Sequence, residues 1–182
     1  HTPVIMMGYA NPIERFGYDA FAEASSVAGV DGLITVDLPP EEVGRLDHAL
    51  IQVGIDNIFL ISPTTENERI ETIVARARGF IYYVAVKGVT GSGQLDVNEV
   101  AQRVGVIRGM TDLPVAVGFG IKDADSASHV AQVADAVVVG SALIDEMVRK
   151  SRADANLEEI QIHEAAVQLL KRIRSGVDSS PS

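Results

Sequence analysis

The strongest constraint on the fold of this chain is a series of six short apolar segments, each followed by a longer segment with helical spacing. The apolar segments are rich in β-branched residues and show no polar alternation, which is typical of parallel strands covered on both faces. They span residues 4–9, 32–37, 58–62, 80–86, 115–120 and 136–141. Strand-then-helix repetition without hairpin signals predicts an α/β fold with parallel strands and right-handed crossovers.

Two architectures fit this repetition, an open doubly wound sheet and a closed barrel of eight strand–helix units. Six units of about 30 residues fill the 182 residues, whereas a closed barrel typically needs about 250. Length alone therefore favours the open sheet. Because no linker or change of composition divides the chain, we expect one domain over 1–174 and a flexible tail over 175–182.

Local signals mark where helices begin and end. Thr65 and Glu68 have the spacing of a capping box at a helix start. Gly29, Gly54 and Gly79 each follow a helical stretch, where glycine readily adopts the left-handed conformation that ends a helix.

Composition excludes several classes of function. The chain carries a formal net charge of −10 and has no basic patch, which argues against binding to nucleic acid or to an anionic membrane. No apolar run reaches the roughly 18 residues that a membrane span needs. The absence of cysteine excludes disulfides and thiolate catalysis and fits a cytoplasmic location. The four histidines do not combine with carboxylates at metal-ligand spacing, so no metal site is predicted.

Glycine-containing loops follow three of the predicted strands, at the carboxyl ends where α/β folds bind their ligands. Gly120, Gly140 and Ser141 end the last two strands, and 88–93 supplies a third loop. Backbone amides that converge from such loops and from a helix N-terminus hold phosphate well. Three loops favour a phosphate site, although tight strand-to-helix turns would use glycine too.

Other side chains at the strand ends have two interpretations each. Asp37 is a carboxylate directly at a strand end, so it is either a base or coupling residue or a helix-capping or turn-forming aspartate. Tyr9, Tyr83 and Phe119 either line an aromatic pocket or belong to the core. Strand alternation places Tyr82 and Tyr83 on opposite faces.

A set of motifs keeps its order from the first strand end to the last. The motifs are Tyr9-Ala10-Asn11-Pro12, Asp37-Leu38-Pro39-Pro40, Gly88-Val89-Thr90-Gly91, Gly118-Phe119-Gly120-Ile121 and Val139-Gly140-Ser141-Ala142. Together they closely resemble the tryptophan synthase alpha subunit family. That resemblance implies a (β/α)8 TIM barrel, of which this chain holds the six units of strands three to eight, and it overrides the argument from length.

The resemblance also implies an activity, the retro-aldol cleavage of indole-3-glycerol phosphate to indole and glyceraldehyde 3-phosphate in tryptophan biosynthesis. This lyase subunit uses no cofactor, and indole passes to a beta subunit that carries pyridoxal phosphate in an alpha2-beta2 complex. The family's catalytic glutamate and aspartate are expected upstream of His1. The barrel is thus expected to be incomplete at its N-terminus, and the chain to be inactive alone.

The resemblance assigns roles to ten residues. Those expected to contact the substrate phosphate are Gly91, Gly120, Gly140 and Ser141, and those expected to line the indole pocket are Tyr9, Leu60 and Phe119. The hydroxyl of Tyr83 has a supporting catalytic role, Thr90 belongs to a lid loop, and Asp37 communicates with the beta subunit.

Two alternatives remain open at this point. Another phosphate-binding TIM barrel, such as indole-3-glycerol-phosphate synthase, shares the glycine loops but not the Tyr-Ala-Asn-Pro and Gly-Val-Thr-Gly motifs. The other alternative is a catalytically inert fragment that acts only as a module for binding the beta subunit.

Overall fold

The computed structural model describes residues 2–85, 97–118, 120–154 and 158–179. Thr90, Gly91 and Phe119, which the sequence assigns to the site, lie outside these ranges. The chain divides into two compact units, one of His1–Tyr82 with Ile107–Pro114 and the other of Tyr83–Val106 with Val115–Ser182. The single domain expected over 1–174 therefore stays a prediction.

The first unit alternates strands and helices as the sequence predicts. Its elements are β1 (Ile5–Gly8), α1 (Ala10–Phe16), α2 (Tyr18–Val27), β2 (Gly32–Thr35), α3 (Gly44–Gln52), β3 (Asp56–Ile61) and α4 (Asn67–Val74), and β4 (Ile81–Val84) begins in it. β1 pairs with β2 and β2 pairs with β3, both in parallel. The strands of this unit thus follow one another in chain order, with Gly8 opposite Thr35 at the carboxyl end of the first pair.

The core of the first unit lies between its strands and the helices that cover them. Leu46 and Leu50 of α3 are 1% and 0% exposed, and their spacing of four residues places both on the buried face of the helix. Ile58 of β3 and Ile70 of α4 are buried as completely. Burying each such side chain contributes about 1.5–3 kcal/mol, so these contacts are the main stabilising term of the unit.

A polar network joins α3 to β3 inside this apolar layer. Asn57 is 2% exposed, and its Nδ2 donates a hydrogen bond of 3.1 Å to Oδ1 of Asp47. The Arg78 guanidinium donates to the same oxygen at 2.9 Å. The Asp47 carboxylate therefore satisfies a buried amide and pairs with a charge that follows α4 in the chain.

The second unit contains the last part of the chain. Its elements include α5 (Val97–Arg108), most of which lies in this unit, β5 (Val115–Gly118), α6 (Ala124–Ala131), β6 (Ala136–Val138), α7 (Ser141–Ala153) and α8 (Glu159–Asp178). β5 and β6 pair in parallel with Gly118 opposite Val138. α8 packs against both α6 and α7. Among the described residues, no helix is long and apolar enough to cross a membrane.

The prediction that a flexible tail begins at residue 175 is wrong, because α8 continues from Ser175 to Asp178. Gly176 is buried, the Arg174 guanidinium pairs with the Asp178 carboxylate at 2.8 Å, and Ser179 Oγ donates to the Gly176 carbonyl at 3.0 Å. Serine and glycine are weak helix formers, and here tertiary packing outweighs that local preference.

The sequence signals predict where helices end better than where they begin. Gly29, Gly54 and Gly79 have φ of 80°, 75° and 73°, which confirms the left-handed positions expected after helices. The capping box expected at Thr65 is wrong, because α4 begins at Asn67 and Thr65 Oγ1 instead accepts the Ser62 amide at 3.0 Å.

Removing the shared acceptor of the polar network should destabilise the first unit. We expect Asp47→Ala to lower the free energy of unfolding by about 2 kcal/mol, because the buried Asn57 amide loses its acceptor. Glu41→Ala is the control, since the Glu41–Arg69 ion pair is about half exposed on both sides and should matter by less than about 0.5 kcal/mol. Urea denaturation measures both variants, and equal effects would contradict the structural role of Asp47.

Candidate functional site

Two of the three glycines expected to bind phosphate lie at matching positions beyond the β5–β6 pair. The last paired residues are Gly118 and Val138, and Gly120 and Gly140 each follow their strand by two positions. Because paired parallel strands end at one edge, the loop after β5 and the loop after β6 leave the sheet side by side. The register thus places the starts of these two loops at neighbouring positions on the sheet edge.

The loop after β5 depends on a left-handed glycine and a capped helix. Gly120 has a φ of 77°, a conformation that a residue with a Cβ rarely adopts. Ile121 is 4% exposed and anchors the loop in the core. At the start of α6, Asp123 Oδ1 accepts the Ser126 amide at 2.8 Å and the Ser126 hydroxyl at 2.6 Å. These two hydrogen bonds hold the pKa of the Asp123 carboxyl below its usual value.

The loop after β6 leads directly into the N-terminus of α7. Gly140 is the N-cap residue and gives no side-chain cap, and Ser141 is the first residue of the 13-residue helix. Both are exposed. The amides of a first helical turn have no partner within the helix and carry its positive dipole, so this end suits an anion.

In the first unit, Asp37 forms a specific bond to the neighbouring strand end. Its Oδ1 accepts a hydrogen bond of 2.7 Å from the Ala10 amide, the first amide of α1. Tyr9, the N-cap residue of that helix, is 61% exposed. Asp37 therefore anchors the loop after β1 by accepting the first amide of α1, and its second carboxylate oxygen is left for another contact.

Leu60, one of the residues expected to contact indole, lines a cavity of about 380 Å³ in the first unit. The walls of this cavity also include Asp37, Phe59 and Ile73. This volume is in the range of small-molecule pockets, and the lining is mixed, since Thr65 and Arg69 also belong to it. Thr35 Oγ1, on the same wall, is buried without a hydrogen-bond partner.

Tyr83 lies on the helix-covered face of β4. Its side chain is 1% exposed, burial raises the pKa of its hydroxyl, and Glu99 of α5 raises it further while Arg103 lowers it. Both of these charges belong to the helix that follows β4, so the ring points toward α5. The sequence could not decide which of the two tyrosines faces the helices. Tyr82, on the opposite face by strand alternation, is only half-buried.

Among the described residues, no three histidine, aspartate or glutamate side chains lie together as a metal site requires.

Comparison with known proteins decides the family. The family model of the tryptophan synthase alpha chain matches residues 1–174. This chain belongs to the tryptophan synthase alpha chain family. The motifs at the strand ends therefore identify the family correctly, and the six strand–helix units belong to its TIM-barrel fold, not to an open doubly wound sheet.

Relatives of this family match almost the whole chain. The tryptophan synthase alpha chain of Nitrosococcus oceani is 51% identical over 180 residues, which cover 98% of this chain and 64% of the relative. That of Thioalkalivibrio sulfidiphilus is 58% identical over 146 residues, which cover 80% of this chain and 55% of the relative. The crystal structure of tryptophan synthase subunit alpha from Legionella pneumophila has a TM-score of 0.83 at 40% identity and covers 97% of this chain and 63% of that one. The chain thus spans between about half and two thirds of the length of these relatives.

The bond between Asp37 and Ala10 can be tested directly. We expect Asp37→Ala to accelerate hydrogen exchange of the Ala10 amide and to cost about 1 kcal/mol of stability. Asp31→Ala is the matched control, because Asp31 accepts the Val4 amide at 2.7 Å at the other end of the same strand. It should accelerate exchange at Val4 and leave Ala10 protected. Unchanged Ala10 exchange in Asp37→Ala would refute the anchoring role.

Proposed function

We propose that this chain provides the phosphate-binding and indole-contacting part of a tryptophan synthase alpha subunit. The reaction is the cleavage of indole-3-glycerol phosphate to indole and glyceraldehyde 3-phosphate. The observation that carries the proposal is the family match over residues 1–174, joined to glycine loops at matching positions after β5 and β6.

The phosphate of the substrate binds to backbone amides of the second unit. Gly120 and Gly140 offer amides that no side chain shields, and Ser141 adds a hydroxyl at the positive end of α7. Gly91 of the Gly-Val-Thr-Gly motif completes this set by family resemblance. Binding through amides suits a dianion in an acidic protein, since it needs no excess of basic side chains.

The indole moiety contacts apolar side chains at the strand ends. Leu60 and Tyr9 belong to this set in the first unit, and Phe119 joins it by its place in the Gly-Phe-Gly-Ile motif. Between the two tyrosines of β4, we assign the supporting hydroxyl to Tyr82, because the Tyr83 ring points toward α5. Thr90 belongs to the lid loop that excludes water on closure.

Protonation of indole C3 and removal of protons from the indole nitrogen and the departing hydroxyl need an acid and bases. The family resemblance assigns these steps to a glutamate and an aspartate before His1. The subunit uses no cofactor of its own, and the beta subunit that receives indole carries pyridoxal phosphate. Asp37, with one carboxylate oxygen bound to Ala10, offers the other to the beta subunit in the alpha2-beta2 complex.

A negative charge introduced at the first position of α7 should affect phosphate binding and the stability of the chain in opposite directions. We expect Ser141→Asp to keep or raise the melting temperature, because an acidic residue at a helix N-terminus is favourable by about 0.3–1 kcal/mol. The same variant should weaken binding of glycerol 3-phosphate at least about tenfold, since two anions would share one site. Isothermal titration calorimetry measures the affinity.

Ser151→Asp is the matched control for Ser141→Asp. It adds the same charge near the other end of α7, about 15 Å away along the helix axis, where salt screens it. Its affinity for glycerol 3-phosphate should stay within about twofold of the unmodified chain. Equal affinities in all three proteins would refute the assignment of phosphate to α7.

The catalytic proposal is tested by indole release. The 182-residue chain with indole-3-glycerol phosphate should produce no indole, and adding the N-terminal segment of the Nitrosococcus oceani relative should restore turnover. Indole is measured by extraction and absorbance, with the N-terminal segment alone as the control. Rapid turnover by the chain alone would contradict the placement of both carboxylates upstream, and failure to bind glycerol 3-phosphate would contradict the function itself.

A further inference from the structure

Two helices of the second unit, α6 and α8, come into close backbone contact at a glycine near the end of α8. A Cβ added at Gly176 would lie 2.8 Å from Ala124 Cα and 2.9 Å from the Ala124 carbonyl carbon, and it would collide with the carbonyl oxygen. Real Cβ atoms essentially never come so near to backbone. Any residue other than glycine at this position therefore displaces one helix from the other.

The choice of glycine here is not explained by the helix itself. Glycine in a helix is about 1 kcal/mol less favourable than alanine, so a glycine at this position has a local cost. Gly105 of α5 shows the contrast, because a Cβ added there meets nothing within 4 Å. The difference between the two sites is the α6 backbone that Gly176 touches.

The residue that Gly176 contacts, Ala124, directly follows the loop after β5 in the chain. Ala124 is the first residue of α6, and only three residues separate it from Gly120. Within that connection Ile121 is buried, and the amides of Lys122 and Asp123 both donate to Ser126 Oγ at 3.2 Å. With so few free torsions, a shift of the first turn of α6 is transmitted to Gly120.

We propose that Gly176 is a positioning residue for phosphate binding: its lack of a side chain sets the place of the α6 N-terminus and thereby of the Gly120 amide. The inference rests on the proposed phosphate site. It extends the functional part of the chain to the end of α8, into residues whose sequence suggested a flexible tail.

The test compares three variants of the full 182-residue chain. We expect Gly176→Ala to weaken glycerol 3-phosphate binding about fivefold and to shift the Gly120 amide resonance in the ligand-free protein. Gly105→Ala makes the same chemical change in α5 and should leave both unchanged. Ile173→Val, one turn before Gly176 on α8 and 1% exposed, should lower the melting temperature without changing the affinity.

The outcomes separate this inference from the proposed function. If the unmodified chain binds glycerol 3-phosphate and Gly176→Ala binds it equally well, the positioning role is refuted and the phosphate site stands. If Ile173→Val weakens binding as much as Gly176→Ala does, the effect is one of general stability and the positioning role is again refuted. If the unmodified chain does not bind, the proposed function itself fails.

A measurement on the unmodified chain covers the case in which Gly176→Ala does not fold. Coupling between two sites is reciprocal, so a ligand at Gly120 must stabilise the contact at Gly176 if the contact favours the ligand. Saturating glycerol 3-phosphate should therefore slow hydrogen exchange of the Gly176 amide more than that of the Gly105 amide. Equal changes at both amides would refute the coupling.

Discussion

Parallel strand pairing is the constraint on which the rest of the structure depends. Pairing within β1–β2 and within β5–β6 determines which residues leave the sheet side by side, and those residues are the ones available for binding. In the β5–β6 pair, Gly120 and Gly140 each lie two residues beyond the last paired residue of their strand. A slip of one residue would turn every side chain of a strand to the other face and separate these two amides.

Two aspartates at the opposite ends of the strands hold this register. Asp31 donates its amide to the Val4 carbonyl at 2.8 Å and accepts the Val4 amide on its carboxylate at 2.7 Å. Asp135 makes the same pair of bonds to Val115, at 3.0 and 2.8 Å. Each carboxylate accepts a hydrogen bond from an amide at the start of a strand pair. Each of the two strand pairs therefore has a side-chain bond at its amino end in addition to the backbone pairing along its length.

The sequence predicts the order of elements better than their limits or orientations. All six apolar segments overlap a strand, because continuous β-branched runs have few alternatives in a chain with this repetition. The predicted strand over 136–141 ends at Val138, since Gly140 turns to cap α7. Alternation separates Tyr82 from Tyr83 but cannot say which face meets α5, because that depends on the partners of the strand. Length favours an open sheet, and only the order of the motifs points to the barrel.

A site made of backbone amides depends on neighbouring residues that do not themselves touch the ligand. Gly120 and Gly140 contribute no side chain, so nothing about their own chemistry positions them, and their neighbours must do so. Ile121 holds the first loop from the core side, the Asp123–Ser126 capping box holds it from the helix side, and α8 packs closely on the next residue, Ala124. For such a site, the residues that decide affinity are those whose packing leaves the glycine backbone no alternative position.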